Sequence, residues 1–261
     1  MAIDHNNQQA YESRSIVGFY ANESDLQPAE EVVLNRLLLE IPTFRMLDIG
    51  VGGGRTTLHF GPWAAEYVGV DYAAAMIEVC KSRLKLFPRP YRFLVLDART
   101  MPELTDDSFD FVFFSFNGID HVTDADRWRI VDEMRRICRP GGYVAFSSHN
   151  LNRLRLFRFP LRLASPVKMA KQLYGWFRFN FVQNKRADLR QDTSTTHLMI
   201  NNGIHDNKLR IYYGDPVWTV ERLKDRFSSV EVLDLTHGAL LATEHDLRAC
   251  TDPWVHYLCR V

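Results

Sequence analysis

The chain holds 261 residues, of which 46% are apolar, and its 32 basic and 32 acidic side chains cancel. That length suits one α/β domain with an insertion, and the balanced charge disfavours a protein that binds nucleic acid through bulk electrostatics. The polar first ten residues do not form a secretory signal, and the longest apolar run, Phe109 to Phe116, is too short to cross a bilayer. The four cysteines have no zinc-like spacing. We therefore expect a single cytoplasmic domain with reduced cysteines and no metal site.

Helices and short apolar strands alternate along the first 150 residues. Residues 1–40 predict an N-terminal helical cap, with helices over Tyr11–Tyr20 and Pro28–Leu39. Residues 41–150 predict five strands, which begin near Met46, Tyr67, Phe93, Phe109 and Tyr143, and three helices, over Arg55–Trp63, Ala73–Leu86 and Ala125–Cys138. Near-continuous apolar strands that alternate with helices are typical of a parallel sheet covered on both faces. We expect an α/β fold with a doubly wound, mainly parallel sheet.

The pattern changes after residue 150. Residues 151–195 show no strand signal and predict an insertion after the fifth strand. Residues 196–261 predict the C-terminal part of the sheet, with a hairpin over Thr196–Tyr213, a helix over Pro216–Phe227 and strands over Val230–Leu235 and Val255–Val261. The whole chain, residues 1–261, is thus expected to fold as one domain of seven central strands.

A glycine-rich loop follows the first strand. After Asp48, the chain passes through Gly50, Gly52 and Gly54 towards a predicted helix. Glycine is needed there because the backbone must turn tightly and approach a bound cofactor closely. A second apolar run ends on Asp71, about 20 residues beyond the loop, where a ribose-binding carboxylate is expected. The two signals together predict a nucleotide-cofactor site.

Five ordered segments carry a family resemblance. The loop reads Asp-x-Gly-x-Gly-x-Gly and has Arg55 where a dinucleotide-binding loop has its third glycine. Together with four later segments it resembles the motifs of the class I S-adenosylmethionine-dependent methyltransferases; those segments are Asp71–Met76, Phe93–Ala98, Leu104–Phe114 and Arg139–Phe146. The resemblance covers roughly residues 40–150. It implies a Rossmann-like, seven-stranded methyltransferase sheet and S-adenosyl-L-methionine as the cofactor.

The resemblance also implies roles for individual side chains. Asp48 orients the aminocarboxylate end of the cofactor, Asp71 binds the ribose hydroxyls and Asp97 addresses the adenine. The implied cofactor-binding residues are Asp48, Gly50, Gly52, Gly54, Asp71, Tyr72, Met76, Asp97 and Ala98. Asp is also a favoured helix N-cap, and Met76 also fits an apolar helix face, so structural roles stay open for Asp71, Asp97 and Met76.

Polar residues follow strands four and five, at the sheet edge where open parallel sheets bind ligands. They are Asn117, His121, His149 and Asn150. A hydroxyl or amine acceptor releases a proton on methylation, and imidazole titrates near neutrality. We therefore predict His149 as a general base. The alternative is a histidine that fixes its loop by hydrogen bonding, and His121 has the same alternative as a packing neighbour of Asp120.

The insertion carries the strongest charge asymmetry of the chain. Residues 151–187 contain nine basic and no acidic residues, so the remainder holds 23 basic against 32 acidic residues. Aromatic and leucine side chains are interleaved with these cations. We predict that the insertion is a mobile lid that attracts an anionic acceptor, in preference to a helix on a membrane surface. An anion site, and an element packed on the domain, are further alternatives.

These observations predict a methyltransferase that acts on a small molecule, with the methylated atom (O, N or C) left open. The alternatives are an NAD-dependent oxidoreductase, which Arg55 disfavours, and a non-catalytic S-adenosylmethionine-binding module. RNA and protein acceptors carry lower weight, because the charge balance gives no strong nucleic-acid signal.

Overall fold

The protein is described by a computed structural model that covers residues 12, 14–85, 91–157, 165–184, 189, 191–192, 194–203 and 210–261. A seven-stranded sheet forms its centre. The strands are β1 (Phe44–Ile49), β2 (Ala64–Asp71), β3 (Arg92–Val95), β4 (Phe109–Phe114), β5 (Cys138–His149), β8 (Ser229–Asp234) and β9 (Trp254–Arg260). Two further strands, β6 (His197–Ile200) and β7 (Ile211–Gly214), form a separate pair.

The strands of the large sheet follow the order β3-β2-β1-β4-β5-β9-β8. Strands β1 to β5 are parallel, whereas β9 runs antiparallel to both β5 and β8. The chain moves outward from β1 to β3 and then returns to place β4 on the other side of β1. This reversal creates the crevice in which open α/β sheets bind ligands. The predicted doubly wound, mainly parallel, seven-stranded sheet is confirmed.

Helices are found along the described chain, most of them close to the predicted positions. They are α1 (Arg14–Asn22), α2 (Pro28–Glu40), α3 (Thr57–Phe60), α4 (Ala74–Arg83), α5 (Asp124–Ile137), α6 (Pro166–Phe177), α7 (Pro216–Lys224) and α8 (Glu244–Ala249). The helix predicted over Arg55–Trp63 is wrong in extent, because only α3 is helical there. The side chains that precede α3 are drawn to distant partners, Arg55 to Glu30 and Thr56 to Asp48. Tyr11 and Leu86, the predicted ends of two helices, lie outside the described residues.

The N-terminal helix α2 is joined to the glycine loop by a buried ion pair. Arg55 donates from Nη1 and Nη2 to the two carboxylate oxygens of Glu30, each at 2.6 Å, and Ser115 donates to the same carboxylate. Glu30 is fully buried and Arg55 is 8% exposed. Helix α2 is therefore held to the glycine loop by a buried ion pair.

The predicted hairpin forms, since β6 and β7 pair antiparallel. A 3₁₀ segment, Leu151–Phe157, follows β5 and packs on this pair through a small apolar cluster. The cluster consists of Leu151, Leu154, Ile200, Ile211 and Tyr213. The described beginning of the insertion, Leu151–Phe157, is thus a packed element at the end of β5.

Candidate active site

A cavity of about 370 Å³ opens at the carboxyl ends of β1, β2, β3 and β4. Most of the predicted cofactor residues line it, namely Asp48, Gly50, Gly52, Asp71, Tyr72, Met76, Asp97 and Ala98. Tyr20 of α1 also contributes to the wall, and so do Ser115, Phe116 and His121 after β4. The topology therefore brings residues far apart in sequence to one pocket.

The glycines of the loop serve different purposes. Gly50 has φ +64°, and a Cβ on it would lie 2.6 Å from the Phe114 ring. Gly52 also has a positive φ of +53°, but its nearest contact would be 3.8 Å away, so its backbone faces open space in the cavity. Gly54 lies against Cys80 and Leu84 of the α4 region. We conclude that Gly54 is required by packing and does not line the cavity.

Asp48 is a buried carboxylate at the end of β1. Its Oδ2 accepts hydrogen bonds from the Thr56 and Tyr67 hydroxyls. Burial raises the pKa of Asp48 to about 6, although the two hydrogen bonds oppose the shift. An ammonium group in the cavity would favour the ionised form of this carboxylate, so the site suits a cationic ligand group.

Asp71 ends β2 and also organises the loop. Its Oδ2 accepts the Gly52 N–H at 3.1 Å, and its Oδ1 accepts the Ala73 N–H at 2.9 Å, just before α4 begins. Burial raises the pKa of Asp71 to about 6, against the pull of these backbone bonds. A carboxylate that lines the cavity and already orders the loop can accept further bonds from ligand hydroxyls, since each oxygen has two acceptor sites.

Asp97 follows β3 and is held by Arg99. The Arg99 backbone N–H donates to Oδ1 at 2.9 Å, and its Nε donates to both carboxylate oxygens at 3.0 Å. Burial alone would raise the pKa of Asp97, but the bonds from Arg99 keep it below its usual range. Both side chains line the cavity. An amino group of a ligand would have to share the carboxylate with Arg99.

His149 ends β5 and is fixed by Asp120, which lies in a 3₁₀ turn (Gly118–His121) after β4. Asp120 Oδ2 accepts the His149 backbone N–H at 2.6 Å and lies 2.8 Å from its ring Nδ1. The Ser148 hydroxyl donates to the other oxygen at 2.8 Å. A ring held by its Nδ1 directs Nε2 away from the carboxylate. This is the arrangement of a histidine base with an orienting acid.

Arg127 of α5 lies behind Asp120 and is fully buried. Its Nε is 3.6 Å from Asp120 Oδ1, and its guanidinium lies over the Tyr212 ring at 4.7 Å from the ring centre. Phe146 and Trp128 flank the same group. The cation compensates the charge of Asp120 in a place from which water is excluded.

The other predicted catalytic residues differ in their surroundings. His121 lines the cavity. Asn117 is buried with a φ of +60°, and its backbone N–H donates to Ser147 Oγ at 2.8 Å. Asn150 is fully buried, donates to the Cys250 carbonyl at 2.9 Å and accepts the Asn152 N–H at 2.9 Å. Its amide holds loops together, so the structure gives Asn150 a structural role in place of the predicted catalytic one.

A row of aromatic side chains leads from the cavity to His149. Tyr20 contacts Phe116 edge-on with ring centres 6.1 Å apart, Phe116 contacts Trp254 at 6.2 Å, and Trp254 lies 6.0 Å from His149. Tyr213 of β7 covers the other side of His149 at 4.9 Å. Phe116 has a φ of +56°, a strained value that is frequent at functional sites. These rings connect the wall of the cavity with His149.

Comparisons with known proteins agree with this geometry. Residues 46–142 match the model of a family described as "Methyltransferase domain". Residues 46–142 belong to this methyltransferase-domain family. The matched residues run from β1 into β5, and they include all the residues that line the cavity except Tyr20.

The relatives that this chain resembles include proteins named for quinones. A demethylmenaquinone methyltransferase of Clavibacter sepedonicus is 32% identical over 113 residues, or 43% of this chain and 44% of the relative. A ubiquinone/menaquinone biosynthesis C-methyltransferase of Geotalea daltonii is 30% identical over 122 residues, or 45% of this chain and 50% of the relative. The aligned residues thus span about half the length of these relatives.

Solved structures share the fold over nearly the whole chain. An S-adenosylmethionine-dependent methyltransferase from Mesorhizobium loti superposes with a TM-score of 0.60 at 17% identity, and the match covers 89% of this chain and 98% of that one. A structure titled "DhpI-SAM-HEP complex" has a TM-score of 0.57 at 17% identity and covers 99% and 98%. At such identities the likeness concerns the fold alone.

Sequence reasoning missed part of the surroundings of His149. Asp120 was named only as a neighbour of His121, and Arg127, Tyr213 and Trp254 were not singled out. Asp120 and His149 are 29 residues apart and meet only because β4 and β5 are neighbours. No local pattern could have paired them, although the prediction that both clusters share one sheet edge pointed to their proximity.

Proposed function

We propose that this protein transfers the methyl group of S-adenosyl-L-methionine to a small molecule that has a flat, largely apolar body and an acidic O–H, N–H or C–H group. The observation that carries the proposal is the cavity, in which Asp48, Asp71 and Asp97 converge around a glycine loop at the switch point of the sheet.

The residues of the cavity fit the cofactor. Asp48 suits its ammonium group, Asp71 suits the two ribose hydroxyls, and the open backbone at Gly52 leaves room beside them. Met76, Val95, Leu96 and Ala98 give the far end an apolar wall for a flat base. Bound there, the cofactor supplies a methyl group on a sulfonium, which is already activated for in-line displacement.

The chain itself positions and deprotonates the acceptor in this proposal. His149 accepts the acceptor's proton at Nε2, while Asp120 holds Nδ1 and stabilises the positive ring that results. Arg127, with its Nε 3.6 Å from Asp120 Oδ1, provides a positive charge beside that carboxyl group. Tyr20 and Phe116 separate the reacting atoms from solvent.

The aromatic row supports a flat acceptor. Phe116, Trp254 and Tyr213 present ring faces and edges around His149, and such surfaces bind planar apolar groups well. The names of the quinone-methylating relatives point to the same class of compound. We therefore place quinol-like and phenolic molecules first among candidate acceptors.

The proposal is tested in two steps. Calorimetry with S-adenosyl-L-methionine and with NADH should show binding of the first and not of the second. Release of labelled methyl across a panel of quinols, phenols, small amines and carboxylic acids should then show turnover on the planar hydroxyl compounds. Tight cofactor binding without turnover on any panel member would favour the non-catalytic binding module instead.

The oxidoreductase alternative is disfavoured. The family model and the named relatives are methyltransferases. In the structure, Arg55 stands where a dinucleotide loop needs a glycine, and its guanidinium is bound to Glu30. The helix after the loop, α3, has only four residues, which gives little support for a pyrophosphate at its start.

A further inference from the structure

Helix α6 stands away from the domain. Every residue from Val167 to Gly175 is exposed, and a Cβ built on Gly175 would meet no atom within 4 Å. A π-helical turn, Arg178–Gln183, continues it. Within the described part of the chain the helix is thus uncovered on all sides, whereas surface helices normally bury one apolar face.

The uncovered helix is strongly amphipathic. At 3.6 residues per turn, its large apolar side chains fall on one half of the helix and its polar ones on the other. The apolar half holds Val167, Met169, Ala170, Leu173, Tyr174, Trp176 and Phe177. Val167 and Tyr174 are each 67% exposed and Phe177 is 53% exposed, which is a large apolar surface to leave in water.

The charges of this region have one sign. Lys168, Lys171 and Arg178 lie on or beside the polar half, and residues 165–184 contain no acidic residue. An anionic lipid surface is complementary to such a helix: the cations meet head groups while the apolar half, rich in aromatic rings, enters the acyl boundary. A second copy of the same helix would instead bring like charges together.

The length of α6 also limits how it can lie relative to a bilayer. None of the helices in the described residues is long and apolar enough to span a bilayer. A helix of 12 residues is about 18 Å long, at roughly 1.5 Å per residue. It can lie in the plane of a membrane surface but cannot cross it.

We propose that α6 and the π-helical turn after it form an interfacial helix that binds the surface of an anionic phospholipid bilayer. This assignment replaces the lid as the role of α6; none of the residues that line the cavity belongs to 165–184. The beginning of the insertion packs on Tyr213, which covers His149, so membrane binding would place the proposed acceptor site near the lipid. That last point rests on the proposed function, because it concerns delivery of an apolar acceptor.

Co-sedimentation with vesicles tests the proposal, without cofactor or acceptor present. We expect the wild-type chain to bind vesicles of phosphatidylcholine with 30% phosphatidylglycerol, and to bind pure phosphatidylcholine at least 10-fold more weakly. Leu173→Asp combined with Phe177→Asp should abolish binding. Neutralising Lys168, Lys171 and Arg178 to Gln together should weaken binding by about 100-fold and remove its salt dependence.

Two matched controls isolate the helix. Leu39→Asp changes an apolar residue of α2 that is 84% exposed, and Lys81→Gln changes an exposed cation of α4; neither should alter vesicle binding. Circular dichroism and thermal unfolding show whether each variant remains folded. Because methyl transfer to a water-dissolved acceptor is measured separately, failure of vesicle binding and failure of the proposed function are distinguishable.

Three outcomes would overturn the proposal. The wild-type chain could stay in the supernatant with anionic vesicles. It could form a dimer, by analytical ultracentrifugation, that the Leu173→Asp and Phe177→Asp variant dissociates, without vesicle binding. Finally, that variant could keep vesicle binding and raise only the KM of a dissolved acceptor, which is the behaviour of a lid.

Discussion

Asp120 and His149 are joined by two contacts to a single carboxylate oxygen, one from the His149 backbone N–H at 2.6 Å and one with its ring Nδ1 at 2.8 Å. The first contact fixes where β5 ends relative to the turn after β4. The second fixes the direction of the imidazole. The carboxylate therefore sets both the position and the orientation of the ring, as an enzyme requires of a base.

His149→Ala should lower kcat by about 10²–10⁴-fold, because a positioned general base contributes by that order. The cofactor dissociation constant should stay within about twofold, since His149 does not line the cavity. Added imidazole should restore part of the rate in this variant. Loss of cofactor binding, or a rate that imidazole does not raise, would show that His149 only holds its loop.

Asp71→Ala should weaken cofactor binding by roughly 10- to 100-fold, since hydrogen bonds to a charged group contribute about 1.5–3 kcal/mol. The matched control is Asp110→Ala. Asp110 is also buried, but it binds Arg45 and Arg139 at the opposite end of β4. Calorimetry should show a changed dissociation constant in the first variant alone. An equal loss of cofactor affinity in both variants would show that general destabilisation is its cause.

Cofactor affinity should rise with pH between about 5 and 7. Burial raises the pKa of Asp48 and of Asp71 to about 6, and both carboxylates have to be ionised to bind an ammonium group and hydroxyls. Binding should be about 100-fold weaker at pH 5 than at pH 8 if both groups ionise on binding, and about 10-fold weaker if one does. Calorimetry at pH 6 in two buffers of different ionisation enthalpy should reveal proton release.

The raised pKa values of Asp48 and Asp71 have the opposite effect on the stability of the fold, which they lower as pH rises. A carboxyl group with a raised pKa in the folded state binds its proton more tightly there than in the unfolded chain, so its contribution falls as pH rises from about 4 to about 6. His256 opposes this trend. Burial lowers its pKa to about 4, so the stability it contributes is present above about 6.5 and is lost as pH falls towards 4. Urea unfolding of Asp71→Asn and His256→Gln across this range should show the two slopes separately.

Glu30→Gln should destabilise the fold by about 3–5 kcal/mol, because it leaves the Arg55 guanidinium buried with its charge uncompensated. Burial alone would raise the pKa of Glu30, but Arg55 lowers it below the usual value, so the pair is ionised at neutral pH. Replacing both residues together, Glu30→Leu with Arg55→Met, should recover much of that loss. Urea unfolding measures each step, and an unchanged midpoint in Glu30→Gln would contradict the coupling of α2 to the loop.

The sheet was predictable because its information is local. Each strand is a short apolar run, the glycines mark the turn after β1, and the acids Asp48, Asp71 and Asp97 end or follow three successive strands. Parallel strands then bring these acids to one edge without further information. The cofactor half of the site follows from the sequence for that reason.

The surroundings of His149 depend on contacts between distant segments. Asp120 lies at the Nδ1 of His149, and Cys250 accepts the amide N–H of Asn150, and both pairs are far apart in sequence. The role of Arg55 likewise requires Glu30 from a helix 25 residues earlier. Such pairs cannot be found from the spacing of residues in the sequence. The role of the insertion was also left undecided by the sequence, because a basic amphipathic pattern predicts a helix but not what covers it.

The charges of this chain cancel in total but are unevenly distributed along its sequence. Nine cations lie within residues 151–187, three of them on or beside α6, while the remainder carries 32 acidic and 23 basic residues. A particle of zero net charge would pass through ion-exchange resins of either sign. This molecule should be retained by both, through the insertion on a cation exchanger and through the rest of its surface on an anion exchanger.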